Sequence, residues 1–355
     1  MAETIRVTIA LPLADEMIEA IRAVSDRLQV TALSRSERYV YRDGRPLWAG
    51  YAEPAVDETT LDAARETLEP ILRETEVLLS NPIVPDNILE RAAHLRWVQL
   101  TSAGADRLVD SELVLSGRVT VTTASGIHAI PISEYVIGVM IAFAKGFPRA
   151  FRSQTNNAWQ AYLAAELDGA TVGVLGLGAI GGRVAELSKA LGMRVLAVRR
   201  SCQRRMSGAE AGEPFADQLF PPSELPAFLA ECDYVVLAVP LTAESRHMIG
   251  DAELEAMKPT AVIVNIARGA VVDQEALVRA LKAGSIGGAA LDVTEPEPLP
   301  PDSELWSLEN VMITPHISGG TPRYMDRAIE LFCDNLRRYL AGEPLRNVVD
   351  PNRGY

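Results

Sequence analysis

Thr171-Val-Gly-Val-Leu-Gly-Leu-Gly-Ala-Ile-Gly-Gly182 is the stretch whose reading decides the fold. A short apolar strand runs into a glycine-rich turn and then into an amphipathic helix. That is the pattern of a dinucleotide-binding turn. Gly176 lets the chain turn after the strand, Gly178 lets the backbone approach a pyrophosphate, and Gly181 lets the helix pack close to the strand it left. Helical spacing puts Ile180, Val184, Leu187 and Leu191 on one face, and Gly192 is placed to end the helix. Ala179 and Ile180 open the helix, so their backbone N–H groups face the anion.

Working outward, residues 193–198 form the next strand, and 234–239, 261–265, 288–292 and 311–314 follow as strands separated mostly by helices. Such an alternation needs a parallel, doubly wound sheet. Upstream, strands at 5–10, 30–33, 77–80, 97–100 and 119–123 and helices at 14–23 and 61–72 make a second, smaller α/β unit. A helix starting near Pro131 and running to Phe147 carries the chain from one unit to the other. Its Tyr135, Val136, Ile137, Val139, Met140, Ile141 and Phe143 lie on all faces, which calls for cover from the other domain or from a second subunit. The last helix is expected to open with Thr321 as N-cap and Pro322 in its first turn. It repeats Met325, Ile329, Phe332, Leu336 and Leu340 before Gly342 and returns to the first unit. The domains expected are therefore 1–126 with 320–355, and 127–319. One stretch stands apart: Arg38-Tyr-Val-Tyr-Arg-Asp-Gly-Arg-Pro-Leu-Trp48 carries Asp43-Gly44 between aromatic flanks, which reads as a hairpin, either a surface excursion or a flap.

At 355 residues the chain exceeds what one core usually serves, and 48% hydrophobic with 23% charged residues describes a globular protein. A net charge of -13 argues against nucleic acid or an anionic membrane surface as partner, so an anionic substrate must be drawn by local arginines. Three scattered cysteines suggest neither a disulfide framework nor a metal cluster. The N-terminal apolar run reads as a strand, and the apolar 127–147 segment, interrupted by His128, Pro131 and Glu134, reads as a buried helix. A cytoplasmic enzyme is expected.

Three strand ends each deliver a residue with chemical potential: Arg268 in Val264-Asn-Ile-Ala-Arg-Gly269, Glu297 in Asp292-Val-Thr-Glu-Pro-Glu-Pro298, and His316 in Thr314-Pro-His-Ile-Ser-Gly-Gly-Thr321. A 2-oxo acid needs a cation that holds its carboxylate in fixed geometry, which a guanidinium fork does better than an ammonium. It also needs a proton donor at the carbonyl oxygen, a role that suits an imidazole oriented by a carboxylate. Glu295 competes with Glu297 for that carboxylate role. His94, in an expected helix, and His128 and His247 are read as structural.

These motifs, in this order from Ile5 to Asn347-Val-Val-Asp350, closely resemble the D-isomer-specific 2-hydroxyacid dehydrogenase family. The resemblance implies a doubly wound (Rossmann) dinucleotide domain inserted in a smaller flavodoxin-like substrate domain, working as a homodimer. It makes Arg268, Glu297 and His316 the catalytic arginine, glutamate and histidine. It makes Ser102, Ala103 and Gly104 the substrate-carboxylate loop, and Ala267 and Asp292 nicotinamide-side positions. Val239, Pro240 and Thr242 resemble the segment flanking the adenosine, and Gly319 is placed at the cofactor too.

The chain departs from the NAD-using members at Leu196-Ala-Val-Arg-Arg-Ser201. An acid belongs there to accept hydrogen bonds from the ribose hydroxyls. Arg199, Arg200 and Ser201 would bind a 2′-phosphate instead, so NADP(H) is favoured and NAD(H) remains open. The implied activity is reduction of a small 2-oxo acid of the glyoxylate or hydroxypyruvate type. The alternatives are an NAD-linked phosphoglycerate or other 2-hydroxyacid dehydrogenase, and a dinucleotide-binding corepressor. The cofactor signature and the lack of an appended regulatory segment make phosphoglycerate the lesser expectation.

Overall fold

The computed structural model describes residues 4–46, 56–105 and 108–351. The chain divides into two compact units, Met1–Ile127 with Pro322–Tyr355, and His128–Thr321.

The first unit holds β1 (Ile5–Ile9), β2 (Leu28–Ala32), β3 (Val77–Ser80), β4 (Trp97–Leu100) and β5 (Thr120–Thr122). They form a parallel sheet in the order β2-β1-β3-β4-β5, the flavodoxin-like winding. Strand alternation gives each face its own core. Val7, Ile9, Val77, Leu79 and Trp97 meet Ile329, Phe332 and Leu336 of the final helix, while Leu78, Val98, Leu100 and Val121 share a cluster with Tyr41, Leu68 and Leu72. Trp97 lies 5.3 Å from Phe332 and 5.5 Å from Tyr339 between ring centroids, and its indole N–H donates to Thr122 Oγ1.

In the second unit, β6 (Thr171–Leu175), β7 (Arg194–Val198), β8 (Met206–Ser207), β9 (Gln218–Phe220), β10 (Tyr234–Leu237), β11 (Val262–Asn265), β12 (Gly288–Leu291) and β13 (Val311–Ile313) make one sheet. Its order is β13-β12-β11-β10-β6-β7-β9-β8, with only the edge strand β8 antiparallel. Strand order reverses between β6 and β10, so the turn after β6 opens at the switch point where doubly wound sheets bind ligands. Both faces are covered. Val174, Val195, Val236 and Val264 pack with Ile132, Val136, Val139 and Met140, and Leu175, Leu196, Leu237 and Ile263 pack with Phe228, Leu229, Leu277 and Leu281.

The structure corrects several expectations. Arg38–Tyr41 belongs to a helix, Arg35–Tyr41, capped reciprocally by Ser34 and Glu37, and Asp43-Gly44 forms the left-handed turn that ends it. The S-x-x-E capping box outweighed the hairpin-like Asp-Gly pair. Tyr41 is buried with its hydroxyl on Ser80 Oγ, and Trp48 lies outside the described residues. The long apolar helix spans Ala129–Ala144, ends at Gly146 with φ +66°, and is followed by a second helix, Phe147–Thr155, at 65°. Most of its circumference is covered inside its own unit. Of the expected stripe on the helix after β6, Val184 is buried, Ile180 and Leu187 are half-buried and Leu191 is exposed; the buried face is completed by Gly181, Ala185 and Ser188, whose small side chains allow close packing. The last helix begins at Tyr324, not at Thr321, and His94 lies in a turn. Among the described residues no single helix is long and apolar enough to cross a membrane; only the bent pair Ala129–Ala144 and Phe147–Thr155 passes that test together.

Candidate active site

The glycine turn after β6 is shaped by two different constraints. Gly176 has φ +95°, and a Cβ there would stand 2.6 Å from Ala238 O. At Gly181 a Cβ would stand 1.9 Å from Gly176 O, so only glycine lets the helix Ala179–Ala190 start this close to β6. Gly178 differs: its φ is negative, and a Cβ would meet nothing within 4 Å. Neither backbone conformation nor internal packing demands glycine there, whereas an anion brought against the backbone does. The helix N-terminus has no side-chain cap at Gly178, which leaves the N–H groups of Ala179 and Ile180 directed at that open space. A dinucleotide pyrophosphate fits this cradle.

At the end of β7, Arg199, Arg200 and Ser201 are all exposed. Arg199 Nη1 pairs with Glu213 Oε1 at 2.6 Å. Past β10, Ser245 Oγ donates to Pro240 O at 2.7 Å and accepts from Thr242 N at 2.7 Å, which fixes the turn holding Pro240 and Thr242. Val239 reaches the Gly176 turn, where its Cγ1 would lie 3.1 Å from an added Cβ.

Three loops beyond β11, β12 and β13 carry the reactive groups. Asn265 at the end of β11 is buried and organises the first: its Nδ2 donates to Arg268 O and its Oδ1 accepts from Ala267 N. Gly269 then packs against the second loop so tightly that a Cβ would lie 2.1 Å from the Thr294 carbonyl. Asp292, 2% exposed, organises the third loop, since its carboxylate accepts from Thr314 Oγ1 at 2.6 Å and from the backbone N–H groups of Ile317 and Ser318. Because Thr314 spends its proton on Asp292, the hydroxyl of Tyr135 must donate to Thr314 Oγ1, 2.8 Å away. Burial pushes that phenol above its ordinary range, which keeps it protonated for the task.

The result is a fixed turn in which His316 takes φ +54° and places Nδ1 2.6 Å from Glu297 Oε1. Glu295 faces elsewhere, toward Arg246 and His247. Gly319 closes the same turn, and a Cβ there would lie 2.8 Å from the His128 ring. In the first unit, the Ser102-Ala103-Gly104 loop follows β4; Ser102 Oγ donates to Gly104 O, and Ser102 O accepts from Ala124 N. Thr314 and Tyr135 escaped the sequence reading because their side-chain partners, Asp292 and Thr314, lie 22 and 179 positions away; Asn265 acts locally, on Ala267 and Arg268, and as the polar residue ending the apolar run of β11 it was a visible signal.

A doubly wound sheet with a glycine turn at its switch point and a histidine–carboxylate pair at neighbouring strand ends defines a nucleotide-dependent dehydrogenase. Residues 137–318 match the family model described as D-isomer specific 2-hydroxyacid dehydrogenase, NAD binding domain. A glyoxylate reductase of Korarchaeum cryptofilum is 36% identical over 77% of this chain and 81% of its own length. A D-3-phosphoglycerate dehydrogenase of Methanocaldococcus jannaschii is 33% identical over 83% of this chain but only 56% of its own. The crystal structure of a D-isomer specific 2-hydroxyacid dehydrogenase from Xanthobacter autotrophicus Py2, in complex with NADPH and MES, superposes with a TM-score of 0.77 at 28% identity, covering 100% of both chains. The chain belongs to the D-isomer-specific 2-hydroxyacid dehydrogenase family.

Proposed function

We propose that this protein reduces a small 2-oxo acid of the glyoxylate or hydroxypyruvate type to the D-2-hydroxy acid, with NADP(H) favoured over NAD(H). The observation that carries the reading is the 2.6 Å contact between His316 Nδ1 and Glu297 Oε1. With Nδ1 held by the carboxylate, the proton at Nε2 is aimed outward as the general acid for a carbonyl oxygen. Arg268 holds the substrate carboxylate through its planar fork, and its loop is kept rigid by Asn265. The loop of Ser102, Ala103 and Gly104 remains the proposed second carboxylate-binding element. Gly176, Gly178, Ala179, Ile180 and Gly181 take the pyrophosphate, while Val239, Pro240, Thr242, Ala267, Asp292 and Gly319 border the rest of the cofactor. The bound dinucleotide supplies the hydride.

The preference for NADP(H) rests on Arg199, Arg200 and Ser201 at the end of β7, where an acid would repel a 2′-phosphate. Turnover of a panel of 2-oxo acids, with NADPH and NADH separately, tests substrate and cofactor together. No turnover of any 2-oxo acid with either nucleotide, despite tight NADPH binding, would favour the corepressor-like alternative.

A homodimer is part of the same proposal. The surplus apolar surface lies just beyond the long helix, where Phe151, Trp159 and Leu163 are strongly or wholly exposed. Exposed apolar side chains of that size are costly in water, and a second copy of the chain would cover them. A monomeric mass by light scattering, with full activity, would end this part of the reading. The three cysteines are free and buried, which supports a reducing, cytoplasmic setting.

A further inference from the structure

We propose that Arg246 and His247 are positioning residues, which clamp Glu295 so that the loop carrying Glu297 is held against the loop carrying Arg268. The inference rests on the acid–base reading of Glu297 and His316 and extends it to residues outside that pair.

The segment from Arg246 to Ile249 is tied by its backbone to the chain just after Arg268. His247 N donates to Ala270 O at 2.8 Å, Ile249 N to Val271 O at 3.2 Å, and Asp273 N to Ile249 O at 2.9 Å. The same segment sends two side chains to one carboxylate: Arg246 Nη1 lies 3.1 Å from Glu295 Oε1, and His247 Nε2 lies 3.3 Å from Glu295 Oε2. Glu295 is held from its backbone as well, where its N–H donates to Gln274 Oε1 at 3.1 Å. Two residues later Glu297 reaches His316. A continuous chain of contacts therefore runs from the Arg268 turn through Arg246 and His247 to Glu295, and so to the carboxylate that orients the acid.

Stability does not explain the arrangement. The three side chains are 39% to 51% exposed, and ion pairs in such settings contribute little. His247 moreover takes φ +51°, a backbone region that disfavours most side chains, while its ring meets Glu295. A strained residue kept in a weak surface pair is accounted for by placement of the neighbouring loop. Although burial pushes the Glu295 carboxyl up, hydrogen bonds from Arg246 and His247 outweigh it and hold the group below its usual range, so Glu295 is a carboxylate at neutral pH.

The experiment is a double-mutant cycle between the clamp and Glu297. Arg246→Gln with His247→Asn, the asparagine chosen because it tolerates positive φ, is measured in the wild-type and in the Glu297→Gln background. Glyoxylate and hydroxypyruvate serve as substrates, and NADPH binding is followed by fluorescence. The expected result is a fall in kcat of about 5- to 20-fold in the wild-type background, NADPH affinity within about twofold, and no further fall once Glu297 is Gln. Rescue by Arg246→Lys, which restores a cation opposite Glu295, is expected to be partial. Equal losses in both backgrounds, or a clamp variant with wild-type kcat, would overturn the proposal alone. A Glu297→Gln enzyme of wild-type activity would overturn the acid–base reading and the clamp with it.

Discussion

Glu297 Oε1 and His316 Nδ1 stand 2.6 Å apart although they come from different strand-end loops, and His316 meets the carboxylate from a left-handed backbone, φ +54°. Asp292 makes this possible by accepting the backbone N–H groups of Ile317 and Ser318 on one buried carboxylate. Replacing Glu297 by Gln keeps a hydrogen-bond acceptor but removes the charge that steadies the imidazolium. The expected loss in kcat is at least about tenfold, short of the roughly 10²–10⁴ associated with a general acid or base itself. Steady-state kinetics of Glu297→Gln beside His316→Ala would show the order; equal activity of Glu297→Gln and wild type contradicts it.

Arg268→Lys is predicted to lose on the order of 10² in kcat/KM, about 2.7 kcal/mol of transition-state binding. An ammonium keeps the charge but cannot hold both carboxylate oxygens in one plane. The backbone of the loop should survive, because Asn265 bonds the Arg268 carbonyl and not its side chain. A variant within threefold of wild type would place the substrate clamp elsewhere.

Cofactor choice is predicted to follow the end of β7. In Arg199→Asp with Arg200→Ala, the ratio of kcat/KM for NADPH over NADH should fall by about 10²-fold as ribose-hydroxyl binding replaces phosphate binding. Glu213 already draws Arg199 at 2.6 Å, so Glu213→Gln should move the ratio the opposite way by releasing the guanidinium. Ratios unchanged in both variants would show that these arginines do not read the 2′-position.

The Cys232 thiol gives a pH-dependent test of the core. Burial pushes it up to about 12, and it donates to Phe228 O at 3.1 Å. An unfolded thiol ionises near about 8.5, so the folded state holds the proton more tightly between those values. The contribution to stability is complete below about pH 8.5 and declines as pH rises toward 12. In the native protein at pH 8, Cys232 should resist a thiol reagent that labels it rapidly after denaturation, as read by peptide mapping. Comparable labelling rates in the two states would contradict its burial.

Much of the architecture was written locally. The glycines of β6 and its turn, the apolar runs that became β3 and β4, and the alternation of strands and helices follow from spacing and side-chain chemistry along a few consecutive residues. Arg268, Glu297 and His316 could be singled out because each lies in the loop that follows an apolar strand, in the order of the family's motifs. One error arose where two local signals competed: Asp43-Gly44 resembled a hairpin, but the Ser34–Glu37 capping box and the burial of Tyr41 made the segment helical. What only tertiary structure decided was which distant groups meet. The proximity of Tyr135, Thr314 and Asp292, the capture of Glu295 by Arg246 and His247, and the approach of Glu297 to His316 join residues separated by 19 to 179 positions. Spacing along the chain carries no information about such pairs. They are set by the parallel sheet, which brings the ends of β10 to β13 side by side and lets buried polar groups find partners there.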